Sequence, residues 1–259
     1  MKKIVFLLTV SLIAFSCADS KKGAPKNTDL LVDNLSGKVE QTSEITYTTD
    51  STGKTLEQDS CCVVTTRYDE KGYGSSYMSE NKAGTDKQQT IYSHDDKGSV
   101  TSLKSTKNGK PLSMISILFD KDGKYSGAQS YDSTNKMDSY YTDIQSNEYG
   151  QLTSFKQYNP DSTLKMSMIS TFDKQFFTGN TIKDSSGKET YSSKVKLDER
   201  NNLIERTTKT VTKDSTINKT ARFRYDSFDD KKNWTQRTEM DENGQPVKIT
   251  KRTIIYYKE

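Results

Sequence analysis

Aliphatic residues are scarce: Leu, Ile, Val and Phe number 47 of 259, about 18 %, below the roughly 20 % at which disorder becomes a concern. Strong net charge is lacking too, with 39 Lys and Arg against 35 Asp and Glu. Disorder needs low hydrophobicity and high charge together, so the second absence outweighs the first. Fifteen tyrosines add apolar area that the aliphatic count misses. The expected product is a thin, extended β structure rather than a thick globule. A single histidine, His94, and three cysteines leave no clustered His or Cys-x-x-Cys set for metal or redox work. Neither a Gly-x-Ser-x-Gly elbow nor a His-Glu-x-x-His helix occurs. Acidic residues abound, but no pair stands out for glycoside hydrolysis. These absences point to a non-catalytic protein without cofactor or metal.

What the chain has instead is a period. Asp/Asn-x-x-Gly turns recur at Asp69–Gly72, Asp95–Gly98, Asp120–Gly123 and Asn147–Gly150, their glycines 26, 25 and 27 residues apart. Repetition at this length marks an array of one supersecondary unit. A second turn falls inside each period, at Asn81–Gly84, Asn108–Gly109, Thr134–Asn135, Asp161–Ser162, Ser186–Gly187, Asp214–Ser215 and Asn243–Gly244. The unit is therefore a β-hairpin. Later copies drift: Phe176 stands where the copy begun by Asp173 expects glycine, Asn201 replaces it after Asp198, and Asp226–Asp230 has none. With an opening turn at Asp50–Gly53, seven or eight hairpins are expected and no helix.

Between turns the chain alternates with the period of two of half-buried strands. Tyr191, Ser193, Val195 and Leu197 share one face against Thr190, Ser192, Lys194 and Lys196. Ile217, Ala221, Phe223 and Tyr225 oppose Asn218, Thr220, Arg222 and Arg224 in the same way. The fold expected for residues 37–259 is all-β: tandem antiparallel β-hairpin repeats in one elongated, twisted or curled sheet. Its last strand, Ile249 to Tyr257, is apolar enough to need a cap or a partner.

The amino terminus carries an address. Lys2 and Lys3 precede the short apolar run Ile4–Phe15, which suits a secretory signal and falls short of the roughly 20 residues of a transmembrane helix. The run ends Ala14-Phe15-Ser16-Cys17, which resembles a bacterial lipoprotein signal. The resemblance implies a signal peptide over 1–16, lipidation of Cys17, and anchoring to the outer membrane of a Gram-negative envelope. Residues 17–36 are polar, with Lys, Gly, Pro and Asn, and read as a flexible tether.

Few side chains offer chemistry. Cys61 and Cys62 are adjacent on an expected strand, where neighbours point to opposite faces, so one buried and one exposed thiol are expected. Asp120-Lys121-Asp122-Gly123 and Asp241-Glu242-Asn243-Gly244 look like calcium loops but lack the closing bidentate Glu. The last third is mildly basic, 17 Lys and Arg against 12 Asp and Glu over residues 188–259, and too interspersed with acids for nucleic acid. The candidate ligand contacts are aromatic: Tyr140, Tyr141, Tyr158, Trp234, Tyr256 and Tyr257, which suit stacking on sugars or peptides as well as cross-strand packing.

Arg67-Tyr68-Asp69-Glu70-Lys71-Gly72 and Arg224-Tyr225-Asp226 resemble the tyrosine–aspartate repeats of Rhs-type proteins. The closing stretch from Tyr225-Asp226 through Asn233-Trp234 and Asn243-Gly244 to Tyr256-Tyr257 is similar to the final repeats of Bacteroidota lipoproteins of that kind, and to variant MORN-type hairpins. The resemblance implies a sheet that wraps or presents a surface and has no active site of its own. The functional expectation is a lipid-anchored surface binding or interaction module whose sheet face meets a polysaccharide or an envelope protein. The alternative is a periplasmic enzyme, or enzyme accessory, acting on glycans.

Overall fold

The computed structural model describes residues 28–258. The signal peptide, Cys17 and the first part of the expected tether lie outside the described residues. A short helix, α1 (Asp29–Val32), precedes sixteen strands. These are β1 (Val39–Thr49), β2 (Thr55–Tyr68), β3 (Gly74–Glu80), β4 (Lys87–His94), β5 (Val100–Lys107), β6 (Lys110–Phe119), β7 (Tyr125–Asp132) and β8 (Met137–Ser146). The second half holds β9 (Leu152–Tyr158), β10 (Leu164–Asp173), β11 (Phe176–Asp184), β12 (Glu189–Leu197), β13 (Leu203–Val211), β14 (Thr216–Phe228), β15 (Trp234–Met240) and β16 (Pro246–Tyr256). Each strand pairs antiparallel with its sequence neighbours, and β1 pairs with β16, so the sheet closes into a barrel.

That closure corrects the expected elongated sheet. The hairpins are present, eight of them, but they form a ring with no free edge. The apolar last strand finds its partner in β1, through Glu44 opposite Arg252, Thr46 opposite Thr250 and Tyr47 opposite Ile249. Closure removes the unpaired backbone that an open array would expose at both ends.

The 26-residue period is two strands and two turns. In turn after turn the leading Asp or Asn accepts, at Oδ1, the N–H groups of the second and fourth residues beyond it. Asp69 does so from Lys71 and Tyr73, Asp95 from Lys97 and Ser99, and Asp198 from Arg200 and Asn202. The third residue takes a left-handed conformation, with φ +90° at Gly72 and +63° at Asn201. Asparagine tolerates that region, so the drifted copy keeps its turn. The copy expected at Asp226–Asp230 turns instead at Asp229, whose Oδ1 accepts from Lys231 and Asn233. Asp226 falls in a register shift of β14.

Register confirms the alternation. Val195 lies opposite Arg206, and Arg206 opposite Ala221, while Lys196, Glu205 and Arg222 line up on the other face. A closed barrel turns one of these faces inward. The inward face is the more buried one, holding Ser139, Phe155, Met168, Ser193 and Phe223. The outward face carries exposed Lys104, Lys156, Lys194, Lys196 and Arg222. Hydroxyls are prominent inside: Thr42, Ser130, Ser139, Ser170, Ser193 and Thr250 are all buried.

Residues 28–38 lie across one mouth, although 28–36 were expected to be tether. Leu30 donates from its backbone N–H to the Gly72 carbonyl, Asn34 from Nδ2 to the Arg200 carbonyl, and Ser36 from its backbone N–H to Asn233 Oδ1. Three hairpin turns are thereby tied together. Leu35 and Val39 bury against Tyr68, with Leu30, Ile254 and Tyr256 around them.

Cys61 and Cys62 are not separate thiols: a disulfide joins them, across a cis peptide bond. They sit where β2 bulges, since Ile45 pairs with Val63 but Tyr47 pairs with Gln58. Asp59 of the same bulge reaches past β1 to Lys248 of β16 at 2.8 Å.

Candidate functional site

Behind the plugged mouth, the inward faces of β1 and β13–β16 bring together a charged and aromatic cluster. Glu44 lies opposite Arg252 and accepts from its Nε at 2.9 Å and its Nη2 at 2.5 Å. Arg237 approaches the other carboxylate oxygen at 3.9 Å. Burial raises the Glu44 pKa, but the Arg252 and Arg237 guanidiniums outweigh it and hold the carboxyl below its usual range. The Arg252 guanidinium carbon lies 3.5 Å from the centroid of the Trp234 ring, and Arg237 stands 4.7 Å from the same ring. Arg252 Nη1 is buried and has no hydrogen-bond partner among the described residues.

Phe223 extends the cluster. Arg237 lies over its ring at 5.3 Å and Arg206 at 5.7 Å, so two guanidiniums flank one buried phenyl group. Arg206 is exposed to solvent, yet burial within the wall and the charge of Arg237 lower its pKa. Water therefore reaches it inside the barrel, as expected for a ring of this strand number. No ion pair of Arg206 is formed among the described residues. Tyr225, opposite Arg237, donates its hydroxyl to the Leu203 carbonyl at 3.0 Å. Lys219, two residues before Ala221 on β14, adds a further inward cation.

Two acids of the plug complete the electrostatics. Asp33 accepts from the Tyr68 hydroxyl at 2.5 Å. Burial raises its pKa, opposed by the Tyr68 bond and by Arg252. Asp29 accepts from the Gly74 N–H at 2.6 Å, and burial pushes its pKa up to about 7. The Tyr68 pKa is raised by burial and by Asp33.

The aromatics singled out in the sequence are scattered. Tyr140 and Tyr158 stack on the outward face of β8 and β9, centroids 5.4 Å apart and planes 13° from parallel. Tyr141 points inward, edge-on to Phe155, and accepts from Gln157 Nε2 at 3.1 Å. Tyr256 donates to Asp229 and accepts from Asn233 Nδ2 at 2.7 Å beneath the plug. Tyr257 donates to the Tyr68 carbonyl at 2.7 Å. Trp234 alone joins the cluster. The arginines and Glu44 escaped sequence reasoning because they lie on four strands spread over more than 200 residues. Their signal was present as charges on otherwise apolar faces, such as Arg206 two residues from Ile204. The turns that resemble calcium loops are explained locally, since Asp120 Oδ1 accepts from Asp122 and Lys124, and Asp241 Oδ1 from Asn243 and Gln245.

No family model and no curated protein matches the sequence. Solved structures do match in shape. A porin-like protein from Bacteroides uniformis superposes with a TM-score of 0.52 at 12 % identity, over 85 % of this chain and 99 % of that one. A porin-like protein from Bacteroides vulgatus reaches only 0.35 at 10 % identity, over 86 % and 100 % of the two chains. The Photorhabdus luminescens Tc holotoxin pore reaches 0.30 at 13 % identity, over 78 % of this chain and 12 % of that one. The first likeness establishes a shared fold; the other two are too low to carry weight. The barrel closure and that likeness replace the Rhs-type and MORN-type resemblance. The tyrosine–aspartate pairs that suggested it differ in what they do: Asp69 closes a hairpin and Tyr68 holds Asp33 of the plug, while Tyr225 and Asp226 lie within β14, where Asp226 accepts from Thr238.

Proposed function

We propose that this chain is a lipid-anchored, non-catalytic envelope protein whose binding face is the interior of the barrel. The observation that carries the reading is the inward cluster of Arg206, Arg237 and Arg252 around Trp234 and Phe223, in a ring whose outer face is charged. A lipid-facing Lys or Arg at the bilayer midplane costs about 2–4 kcal/mol. Exposed Lys104, Lys156, Lys194, Lys196 and Arg222 stand on five different positions of the outer wall. The barrel therefore works in water, held at the membrane through Cys17, and takes its ligand through the mouth opposite the plug. Glu44 itself is held as an anion by Arg252 and Arg237, so it would not be the general acid of the glycan-hydrolysing alternative.

The test uses the chain's one tryptophan. Trp234 lies in the cluster, so a saccharide fraction from the envelope that enters the barrel shifts or quenches its emission. Binding of such a fraction with unchanged emission would move the binding face elsewhere.

A further inference from the structure

The cluster has more positive charge than it uses. On the inward faces of β13 to β16 stand Arg206, Lys219, Arg237, Lys248 and Arg252. The carboxylates facing this wall are Glu44, Glu239, Asp59 and, from the plug, Asp33; Glu44 is shared by Arg252 and Arg237, Asp59 pairs with Lys248, and Asp33 lies near Arg252. Five cations thus meet four carboxylates. Arg206 and Arg237 flank Phe223 from opposite neighbours in the sheet, with Ala221 leaving the wall low between them. Arg206, over the Phe223 ring and in no ion pair among the described residues, keeps N–H edges that match carboxylate and phosphate oxygens, and Arg237, which also approaches Glu44 at 3.9 Å, stands across the same ring.

The rest of the inner wall describes the remainder of the ligand. It is a polar lining in which Ser139 Oγ and the Tyr141 hydroxyl accept from Gln157, Ser193 Oγ donates to Asn180 and Thr250 Oγ1 bonds Thr46, while Ser170 Oγ is buried with no partner among the described residues. An acyl chain would bury methylenes against this polar lining and leave Ser170 Oγ unsatisfied. A hydroxyl-rich ligand offers Ser170 Oγ a partner, and sugar rings pack on aromatic faces. We infer that the interior binds an acidic saccharide, its carboxylate or phosphate held between Arg206 and Arg237 over Phe223. This rests on the interior being the binding face, and adds what that face selects.

The experiment is calorimetric titration of the mature lipid-anchored protein in nonionic micelles with four probes: tri-galacturonate, glucose 6-phosphate, maltotriose and acetate. Tri-galacturonate or glucose 6-phosphate is expected to bind at least about tenfold more tightly than maltotriose, the size of a charged hydrogen bond. Which of the two wins decides between carboxylate and phosphate. Arg206→Gln is expected to remove about tenfold of that affinity and Arg206→Lys less. Arg206 is exposed and in no ion pair among the described residues, so both variants should fold; unchanged melting temperatures check it. Maltotriose bound as tightly as the acids would overturn the charge inference and leave interior binding standing. Acetate bound as tightly as tri-galacturonate would overturn the saccharide inference. No binding of any probe, or full acid affinity in Arg206→Gln, would overturn the proposal outright, while the Trp234 emission test still judges interior binding by itself.

Discussion

The plug is held by an acid that prefers to be neutral, so its docking should weaken as pH rises. Asp29 has a folded pKa of about 7 against 3.8 for the free side chain. A raised folded pKa means that the docked state binds the extra proton. Stability is full below about pH 4, falls as pH rises through the interval to 7, and is level above it. Three pKa units correspond to about 4 kcal/mol. Asp29 is only half-buried at its surface, and solvent screening reduces this to about 2 kcal/mol. Asp33 adds a loss of the same sign, and Asp69 and Asp33 face Asp29 as like charges. His94, whose pKa is lowered by burial, sits beside Tyr73 and faces Asp69 and Asp95. Asp29→Asn isolates the effect, because its amide oxygen still accepts from Gly74 N–H while the charge is gone. The assay is hydrogen exchange of the amides of residues 30–36 between pH 4 and 8, corrected for intrinsic rates. The wild type should lose roughly 30-fold of protection relative to Asp29→Asn across that range. Equal slopes in the two proteins would refute the reasoning.

Other expectations are more direct. Cys17→Ala should release the protein from the membrane fraction, and sedimentation of the variant with membranes would count against the anchor. Glu44→Gln removes the anion that Arg252 and Arg237 share, and should lower stability by about 3 kcal/mol in denaturant unfolding; a loss below about 1 kcal/mol would mean that water already compensates the pair. Gly179→Ala should destabilise strongly, because a Cβ there would lie 2.4 Å from the Ser193 carbonyl oxygen of the neighbouring strand; a melting temperature equal to wild type would contradict that contact. Reconstitution into planar bilayers should yield no conductance steps, given the charged outer wall, and stepwise conductance would show that the barrel spans.

Much of the local structure was legible because it is encoded within a few residues. Asp69, Asp95 and Asp120 announce their turns by bonding their own backbone, and Val195 and Lys196 announce their faces by alternation. The strand count followed from counting turns. Cys61 and Cys62 misled because period-two geometry holds only for regular strand, and β2 departs from it at its bulge. Residues 28–36 look like linker by composition, but Leu35 and Asp33 find their partners on Tyr68 and the mouth of the barrel, which no local pattern reveals.

Sequence by itself determined the hairpins, their turns and which side chains share a face, since each depends on residues close along the chain. Only the tertiary structure decided that the sheet closes, which face turns inward and that Glu44, Arg206, Trp234, Arg237 and Arg252 meet. The physical reason is that closure is one long-range pairing, Val39–Thr49 with Pro246–Tyr256, and its register depends on the twist accumulated over all the strands between them.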